Sequence, residues 1–458
     1  MKVIVCGAGQ VGFNIARYLA SENADVTVID ISPELVQRIT DSLDVSGLVG
    51  FASHPEVLER AGAADADMVI AVTYADEVNM VACQVCHSLF EVPTKIARVR
   101  HQSYLDPVWS DLFSHDNMPI DVIISPEIEV ARAISRRLSI PGAFDAISLA
   151  DGRISLIGVH VLQDTPIINT PLRQLTQLFP DLHISIVGIE RDGKGHVASG
   201  DTELHPGDDV YFVCDTAHLN RALLTFGHDE RQARRVVIFG GGNIGLNLAQ
   251  IMEREQPQVQ MRLIEMGKAR AEFVAQTLKR SVVIHGDALN VEILDECNIS
   301  NTETVIAVTN DDEVNILASL LAKRHGSQRA VTLINSASYG QLVGSLGIDT
   351  VVSPRGITVS TILQHVRRGR IRSVYSISES LGEIIEAEAL ETSRLVGTPL
   401  RDAKLPEGVI VGAILRGDEV VIPRGDTVIR AGDLVTIFAA SSAVKKVEKL
   451  FAVKLEFF

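Results

Sequence analysis

At 458 residues the chain is too long for one domain and has room for three or four. Lys and Arg total 42 against 58 Asp and Glu, a net charge of −16, which argues against a nucleic-acid partner because phosphate binding needs a positive footprint. With 46% hydrophobic and 22% charged residues the chain can bury a large core, and disorder is set aside.

In chain order, Lys2 is followed by the apolar run Val3 to Cys6, which breaks into glycines before it could make a signal-peptide core, so a cytoplasmic location is expected. That run predicts a strand. Asp25 to Ile29, Met68 to Val72, Lys95 to Val99 and Asp121 to Ile124 read as further strands, with amphipathic helical segments between them. The alternation predicts βαβ units, and so a doubly wound parallel sheet over residues 1–140. From 141 to 226 the pattern changes to longer alternating strands, Ile154 to Leu162 and Ile184 to Ile189, with one helix near the end. This predicts a small α+β domain. Residues 227–235, GHDERQARR, lack apolar periodicity and read as a linker.

The chain then repeats itself. Gly7-Ala8-Gly9-Gln10-Val11-Gly12 returns as Gly240-Gly241-Gly242-Asn243-Ile244-Gly245, and Ile70-Ala71-Val72-Thr73 with Asp76-Glu77-Val78-Asn79 returns as Ile306-Ala307-Val308-Thr309 with Asp312-Glu313-Val314-Asn315. Ser125-Pro126 has a copy in Ser353-Pro354, Thr170-Pro171-Leu172 in Thr398-Pro399-Leu400, and Pro206-Gly207-Asp208 in Ala431-Gly432-Asp433. A tandem duplication follows, with a second parallel-sheet domain over 236–369 and a second small α+β domain over 370–458. The longest uncharged window, Ala330 to Ile348, holds Asn335, Ser336, Gln341 and five glycines or serines more, too polar to span a bilayer.

A single G-x-G-x-x-G is weak, but here each copy follows a strand and opens a helical run. The first glycine permits a tight turn, the second lets a pyrophosphate approach the backbone, and the third lets helix and sheet pack closely. Asp30 at the end of the next strand, and Glu265 in the second copy, would accept from the adenosine ribose hydroxyls and repel a 2′-phosphate, which favours NAD over NADP. A Rossmann-like sheet that has lost its ligand is the competing reading. Thr73, Tyr74, Arg98 and Arg100 fall at strand carboxyl ends, where the crevice should lie, and the arginines could clamp phosphate oxygens. Aligned on Ser103-Tyr104 and Ser338-Tyr339, Arg98 and Arg100 correspond to Leu333 and Asn335, so folding does not require arginine there. Likewise Val49-Gly50-Phe51 corresponds to His285-Gly286-Asp287, and the two pockets should differ.

Cys83-Gln84-Val85-Cys86-His87 spells a c-type haem attachment signature, yet it lies inside a helical run, and the second half has Ser319 and Ala322 at the cysteine positions. Small residues on a packed helix face explain both copies. Five scattered cysteines do not suggest a disulfide framework, and no hydrolase elbow or metal-binding spacing is present. The basic runs Arg136-Arg137 and Arg367, Arg368, Arg370, Arg372 fall where helices after the Ser-Pro pairs should end and would complement their dipoles. Those helices carry Val130, Ile134 and Leu138, and Ile362 and Val366, at helical spacing, a stripe expected to cover a neighbouring lobe and so to hold copies of the chain together.

The repeated order of these motifs resembles the RCK (KTN) domains that regulate potassium channels and transporters, and the duplicated form without a membrane span is similar to the peripheral NAD-binding subunits of bacterial Trk potassium uptake systems. The resemblance covers essentially the whole chain. It implies two Rossmann-like domains, each followed by a small α+β domain, in a non-catalytic protein that binds NAD or NADH, with ATP or ADP as further ligands. It implies a homotetramer on the cytoplasmic face of the inner membrane, docked on a Trk-type integral membrane potassium-translocating subunit, with no nucleic acid involved. By position it implies a first site of Gly7, Ala8, Gly9, Gln10, Val11, Gly12, Asp30, Thr73, Tyr74 and Arg98. The second site would be Gly240, Gly241, Gly242, Asn243, Ile244, Gly245 and Glu265. Phe51 stands where such domains carry Gly-Asp or Gly-Asn. The alternative is an NAD-dependent dehydrogenase, but the domains after each Rossmann unit share no His, Lys or Tyr in a recognisable acid–base motif. A redox regulator acting through DNA would need a basic reading surface that the sequence does not offer.

Overall fold

The computed structural model describes residues 1–458 except 22, 164, 179–181, 337–338, 340–342, 344–345, 367–370, 379–380 and 452–458. Side chains are described for these except at 107, 176–178, 363–364, 366, 371, 378, 445 and 448–449.

The first parallel sheet contains β1 (Lys2–Cys6), β2 (Asp25–Asp30), β3 (Ser46–Val49), β4 (Met68–Ala71), β5 (Thr94–Arg98) and β6 (Val122–Ile124) in the order β3-β2-β1-β4-β5-β6, the dinucleotide-binding strand order. The central strands are continuous apolar runs because helices cover both faces: Met68–Ala71 is buried at every position, and so are Val3 to Cys6. Five of the six strands match the apolar runs named above. The edge strand β3, sequence SGLV, has no buried position and so no apolar signature, but it pairs in parallel with β2 from Thr27 with Ser46 to Asp30 with Val49. Val49 leads into Gly50, whose amide donates to Asp30 O at 2.9 Å.

The small domain that follows is an antiparallel sheet of β7 (Ala143–Leu149), β8 (Ile154–His160), β9 (Ile184–Arg191), β10 (Lys194–Val197) and β11 (Asp209–Asp215), in the order β10-β9-β11-β8-β7. The helix near its end is Leu219–Thr225, and a short helix, Leu172–Leu178, follows Thr170-Pro171. The second half repeats the plan. Its parallel sheet contains β12 (Arg235–Phe239), β13 (Gln260–Glu265), β14 (Val282–His285), β15 (Thr304–Ala307), β16 (Arg329–Leu333) and β17 (Thr350–Val352), ordered β14-β13-β12-β15-β16-β17. Its antiparallel sheet contains β18 (Ile371–Ser378), β19 (Gly382–Glu388), β20 (Val409–Arg416), β21 (Glu419–Val421) and β22 (Leu434–Ala440), ordered β18-β19-β22-β20-β21.

The copies associate by type. One compact unit holds residues 1–132, 237–257 and 261–366, hence both parallel sheets, and another holds 133–236, 258–260 and 367–458, hence both antiparallel sheets. Within the second unit the alternation expected of β8 is absent, since every residue but His160 is buried. One face, with Ile157 and Val159, packs on Phe212 and Leu223 of its own domain, while the other, with Ile154 and Leu156, joins Leu381, Ile384, Ala413 and Phe438 of the second small domain. Sheet-to-sheet packing therefore consumes the face that would otherwise be polar. Glu386 reaches across this contact to accept from the Ala150 amide at 2.7 Å, in a turn whose residues Ala150, Asp151 and Gly152 all have positive φ.

The repeated Pro-Gly-Asp and Ala-Gly-Asp turns have a structural cause. Asp208 takes both Nε and Nη2 of Arg191 at 2.7 Å and the His205 amide at 2.8 Å, and Asp433 takes Arg416 at 3.0 and 2.8 Å with the Arg430 amide at 2.8 Å. Each bidentate pair clamps a turn onto the hairpin beside it.

Within the first unit, the helix Pro354–Val366 of the second half crosses to the first: Ile362 is fully buried in a cluster with Val3, Val5, Ile15, Leu19 and Ile70. Val130 and Ile134 of the matching helix, Pro126–Ser139, are also fully buried within the single chain. This corrects the expectation that the stripe holds separate copies together, because one chain already covers it. The Val366 side chain and Arg367, Arg368 and Arg370 lie outside what is described. Arg137, in the last turn of its helix, pairs with Asp145 at 3.0 Å, and Arg372 pairs with Asp151 at 3.0 Å. All five cysteines are free and buried, and Cys83 and Cys86 lie inside the helix Asp76–Phe90 against the core, where burial pushes the Cys86 thiol up to about 12.

Candidate functional site

Each glycine loop divides three tasks among its glycines. Gly7 has φ +113°, and a Cβ there would lie 3.1 Å from Thr73 N and Val72 O. A Cβ on Gly12 would fall 1.8 Å from Gly7 O, so the helix can sit on the turn only without one. Gly9 faces open space, with nothing within 4 Å of its Cβ position. The second loop repeats this: Gly240 has φ +104°, a Cβ on Gly245 would lie 2.0 Å from Gly240 O, and Gly242 is open. The helices Gln10–Ser21 and Asn243–Glu255 start directly after the open glycines and present their first amides and positive dipole ends to that space.

The carboxylates after the second strand of each half hold the loops from behind. Asp30 accepts from the Ala8 amide at 2.7 Å and the Ser32 amide at 2.9 Å, and Glu265 accepts from Gly241 and Gly267, both at 2.7 Å. The longer glutamate needs more room. A Cβ on Gly241 would lie 3.1 Å from Glu265 Oε2, which explains why glycine replaces Ala8 there.

Asn79 and Asn315 are the residues that sequence reasoning passed over, although both belong to the repeated Asp-Glu-Val-Asn motif. Each is fully buried and makes four hydrogen bonds. Asn79 Oδ1 accepts from Thr73 N at 2.8 Å and Thr73 Oγ1 at 2.7 Å, while its Nδ2 donates to Thr73 O at 3.1 Å and Arg98 O at 2.9 Å. Asn315 binds Thr309 and Leu333 in the same way at 2.8, 2.8, 3.1 and 3.0 Å. Asp76 accepts from the Arg100 amide at 2.9 Å as Asp312 accepts from the Asn335 amide at 2.8 Å. The matching of Arg98 with Leu333 and of Arg100 with Asn335 is therefore structural. Ser338, part of the sequence alignment used for it, lies outside the described residues.

The walls diverge on this shared frame. Arg98 donates from Nη2 to Thr73 O at 2.8 Å, while its Nε is buried without a partner; burial, then the neighbouring Arg100 charge, lowers its pKa. Arg100 donates from Nε to Glu127 Oε1 at 2.9 Å and lies 5.6 Å from the ring centre of Tyr74. Burial works against the Arg100 charge, but the hydrogen bond and charge of Glu127 outweigh it and raise its pKa. In the second half the cations come from elsewhere. Arg270 donates to Gly241 O at 2.7 Å and to Asn243 Oδ1 at 3.3 Å, and Arg355 follows Pro354 where the first half has Glu127. Neither repeats between the halves, so the duplication gave no signal for them.

Both loops open into one cavity of about 1100 Å³. Of the residues expected from the sequence, Gly7, Gly9, Gln10, Val11, Asp30, Thr73, Tyr74, Arg98, Gly242, Asn243 and Ile244 line it. Ala8, Gly12, Gly240, Gly241, Gly245 and Glu265 do not; they act behind the wall through the backbone contacts just described. Phe51, Arg100, Glu127, Arg270 and Arg355 join the lining, and among the described lining residues none is His, Lys or Cys. The arrangement suits a phosphorylated ligand: open amides at two helix starts, the Asp30 carboxylate in the lining within reach of ribose hydroxyls, and the guanidinium of Arg98 beside them. Among the described residues no cluster of His, Cys, Asp and Glu could hold a metal ion, and no helix is long and apolar enough to cross a membrane.

Comparison with known proteins agrees with this geometry. The TrkA-N domain model matches residues 3–126 and 236–354, and the TrkA-C domain model matches 156–227 and 384–452. The chain is 55% identical over 458 residues to the Trk system potassium uptake protein TrkA of Azorhizobium caulinodans and 41% identical over 462 to that of Halomonas elongata, with 100% of both chains covered in each case. Among solved structures it is similar to the GsuK RCK domain, with a TM-score of 0.59 at 19% identity over 98% of this chain and 94% of that one. It is also similar to the GsuK channel bound to NAD, with a TM-score of 0.59 at 19% identity over 98% and 78%. These two likenesses concern the fold. From the paired domain matches and the full-length identity, the chain belongs to the TrkA family, with the TrkA-N and TrkA-C domains each present twice.

Proposed function

We propose that this chain is the non-catalytic regulatory subunit of a Trk-type potassium uptake system, binding NAD or NADH, and ATP or ADP, on its two glycine loops and passing their occupancy to an integral membrane potassium-translocating subunit. The single observation that carries the reading is that both loops, each with an open glycine and a helix start, face one cavity. The full-length relatives, named as Trk potassium uptake proteins, support the transport role. In this reading the protein is a homotetramer on the cytoplasmic face of the inner membrane, and the four-part division at 140, 226 and 369 stands as the proposed domain plan.

In this reading the ligand's phosphates lie on the amides after Gly9 and Gly242, the ribose of the first site lies on Asp30 while Glu265 braces the second loop from behind, and Arg98 supplies a charged hydrogen bond in the first site. NAD, when bound, supplies no chemistry that this account uses; it is a signal. A ligand shifts a conformational equilibrium only by its differential affinity for the two states. The element placed to feel it is the crossover helix Pro354–Val366, which starts at the cavity and buries Ile362 against the first half's sheet. Calorimetry of the purified chain with NADH and ADP, followed by potassium flux with a Trk-type membrane subunit, tests the reading. Binding without any effect on flux would overturn the regulatory role.

A further inference from the structure

The two halves differ at the end of the site that would hold a base. With phosphates on the Gly9 loop at the end of β1 and a ribose on Asp30 at the end of β2, a nucleotide continues outward over β3, the next strand in the sheet. There the chain runs Gly50-Phe51-Ala52. Phe51 lines the cavity while 53% exposed, and one face of its ring is backed by His54, with centroids 5.1 Å apart and planes at 27°. Ile31, directly after Asp30, also lines the cavity and is 62% exposed. Bare apolar surface at a cavity mouth is unfavourable in water and fits a planar apolar face. Ser32 at this end accepts from the Leu35 amide at 3.3 Å as the cap of its own helix, Pro33–Ser42. The second half places Asp287 at the matching position, fixed by Gly286 N donating to Glu265 O at 3.0 Å as Gly50 N donates to Asp30 O.

We propose that Phe51 is a specificity-determining residue of the first site: it holds the base by stacking on its open face, so that the site accepts purine nucleotides without reading the base edge. Every base has a π-face, so stacking is tolerant of base identity where a carboxylate such as Asp287 is not. The inference rests on the reading that nucleotides occupy the first glycine loop, and the test separates the two. The chain has a single tryptophan, Trp109, so Phe51→Trp in a Trp109→Phe background places the only indole at the base position. Phe51 is half exposed, and melting curves check that the variant keeps its fold. ADP and GDP should quench this indole with midpoints within about threefold of each other, and pyrophosphate should not quench it. Phe51→Leu should weaken ADP at one of two sites by about tenfold in calorimetry. If calorimetry shows ADP binding to the tryptophan variant without quenching, or if GDP is more than about tenfold weaker than ADP in quenching, the stacking role is overturned while the nucleotide reading survives. If ADP gives no binding heat with the unaltered chain, the reading fails and takes this inference with it.

Discussion

The two glycine-loop sites share a frame but not their walls. What the backbone needs is present twice: a positive-φ glycine, a glycine under the helix, a carboxylate on the loop amides, and a buried asparagine joining two strand ends. What the backbone does not need has drifted. Arg98 faces Leu333 across the duplication, Arg100 faces Asn335, Phe51 faces Asp287, and Leu35 and Glu127 face Arg270 and Arg355. A residue kept in both copies is therefore explained by folding first, and one present in a single copy is the better candidate for ligand choice.

That division can be broken most severely at the shared frame. Ile362→Asp would put an unpaired charge into a fully buried cluster, and Ile134→Asp would do the same in its helix, each costing about 4 kcal/mol or more. Both should lower the melting temperature of the chain itself. A normally folded variant that has merely dissociated into single copies would instead restore the role between copies first inferred from the sequence.

Asn79→Leu and Asn315→Leu should each cost about 2–3 kcal/mol, because the amide and carbonyls they satisfy would be left buried without partners. The two costs should agree within roughly 0.5 kcal/mol, the spread of a single hydrogen bond's contribution, if the frame is equivalent in both halves. Chemical denaturation of the two variants measures this directly, and a one-sided cost would show that the halves are not mechanically alike.

Smaller effects are expected at the walls, where they should be one-sided. Arg98→Ala should weaken binding at the first site, and Arg270→Leu at the second, each by roughly tenfold as a lost charged hydrogen bond implies. Two-site calorimetry that shows both variants affecting the same site would contradict the assignment. Asp30→Ala should narrow an NAD preference over NADPH that we expect to be at least about tenfold. Neither the unaltered chain nor any of these variants should oxidise NADH with 2-hydroxy or keto acids, and steady turnover in an absorbance assay would revive the dehydrogenase alternative.

The smallest expected effect concerns pH in the small domains. Glu386 is buried, and burial raises its pKa while the Ser373 and Ala150 hydrogen bonds and the Arg372 charge oppose the shift. A carboxyl whose folded pKa is raised contributes stability below its unfolded value and loses it as pH rises through the folded value. Glu386→Gln should therefore match the unaltered chain in acid and become relatively more stable as pH rises toward neutrality. Gly158 holds the corresponding place in the first small domain, so no matching titration should arise there.

The sequence made the glycine loops, the carboxylates behind them and the strand-end Thr73 legible because each is tied to a local backbone demand that repeats. It did not reveal β3, whose Ser-Gly-Leu-Val run is too polar and short to stand out on a sheet edge. Nor could it show the all-buried β8, since alternation fails when a second sheet covers the outer face. The shared cavity was the largest omission. Two copies of a motif say nothing about which way they face, and Arg270 and Arg355, which enter it, lack repeated counterparts.

The central claim, that occupancy of these loops is a signal and not a substrate cycle, is tested most directly by potassium flux into vesicles carrying a Trk-type membrane subunit and this chain, titrated with NADH, ATP and ADP. We predict a flux that changes with nucleotide, saturates over the range in which calorimetry shows binding, and loses its response in Arg98→Ala with the assembly intact. A flux that is the same with and without every nucleotide, although they bind, would contradict the account.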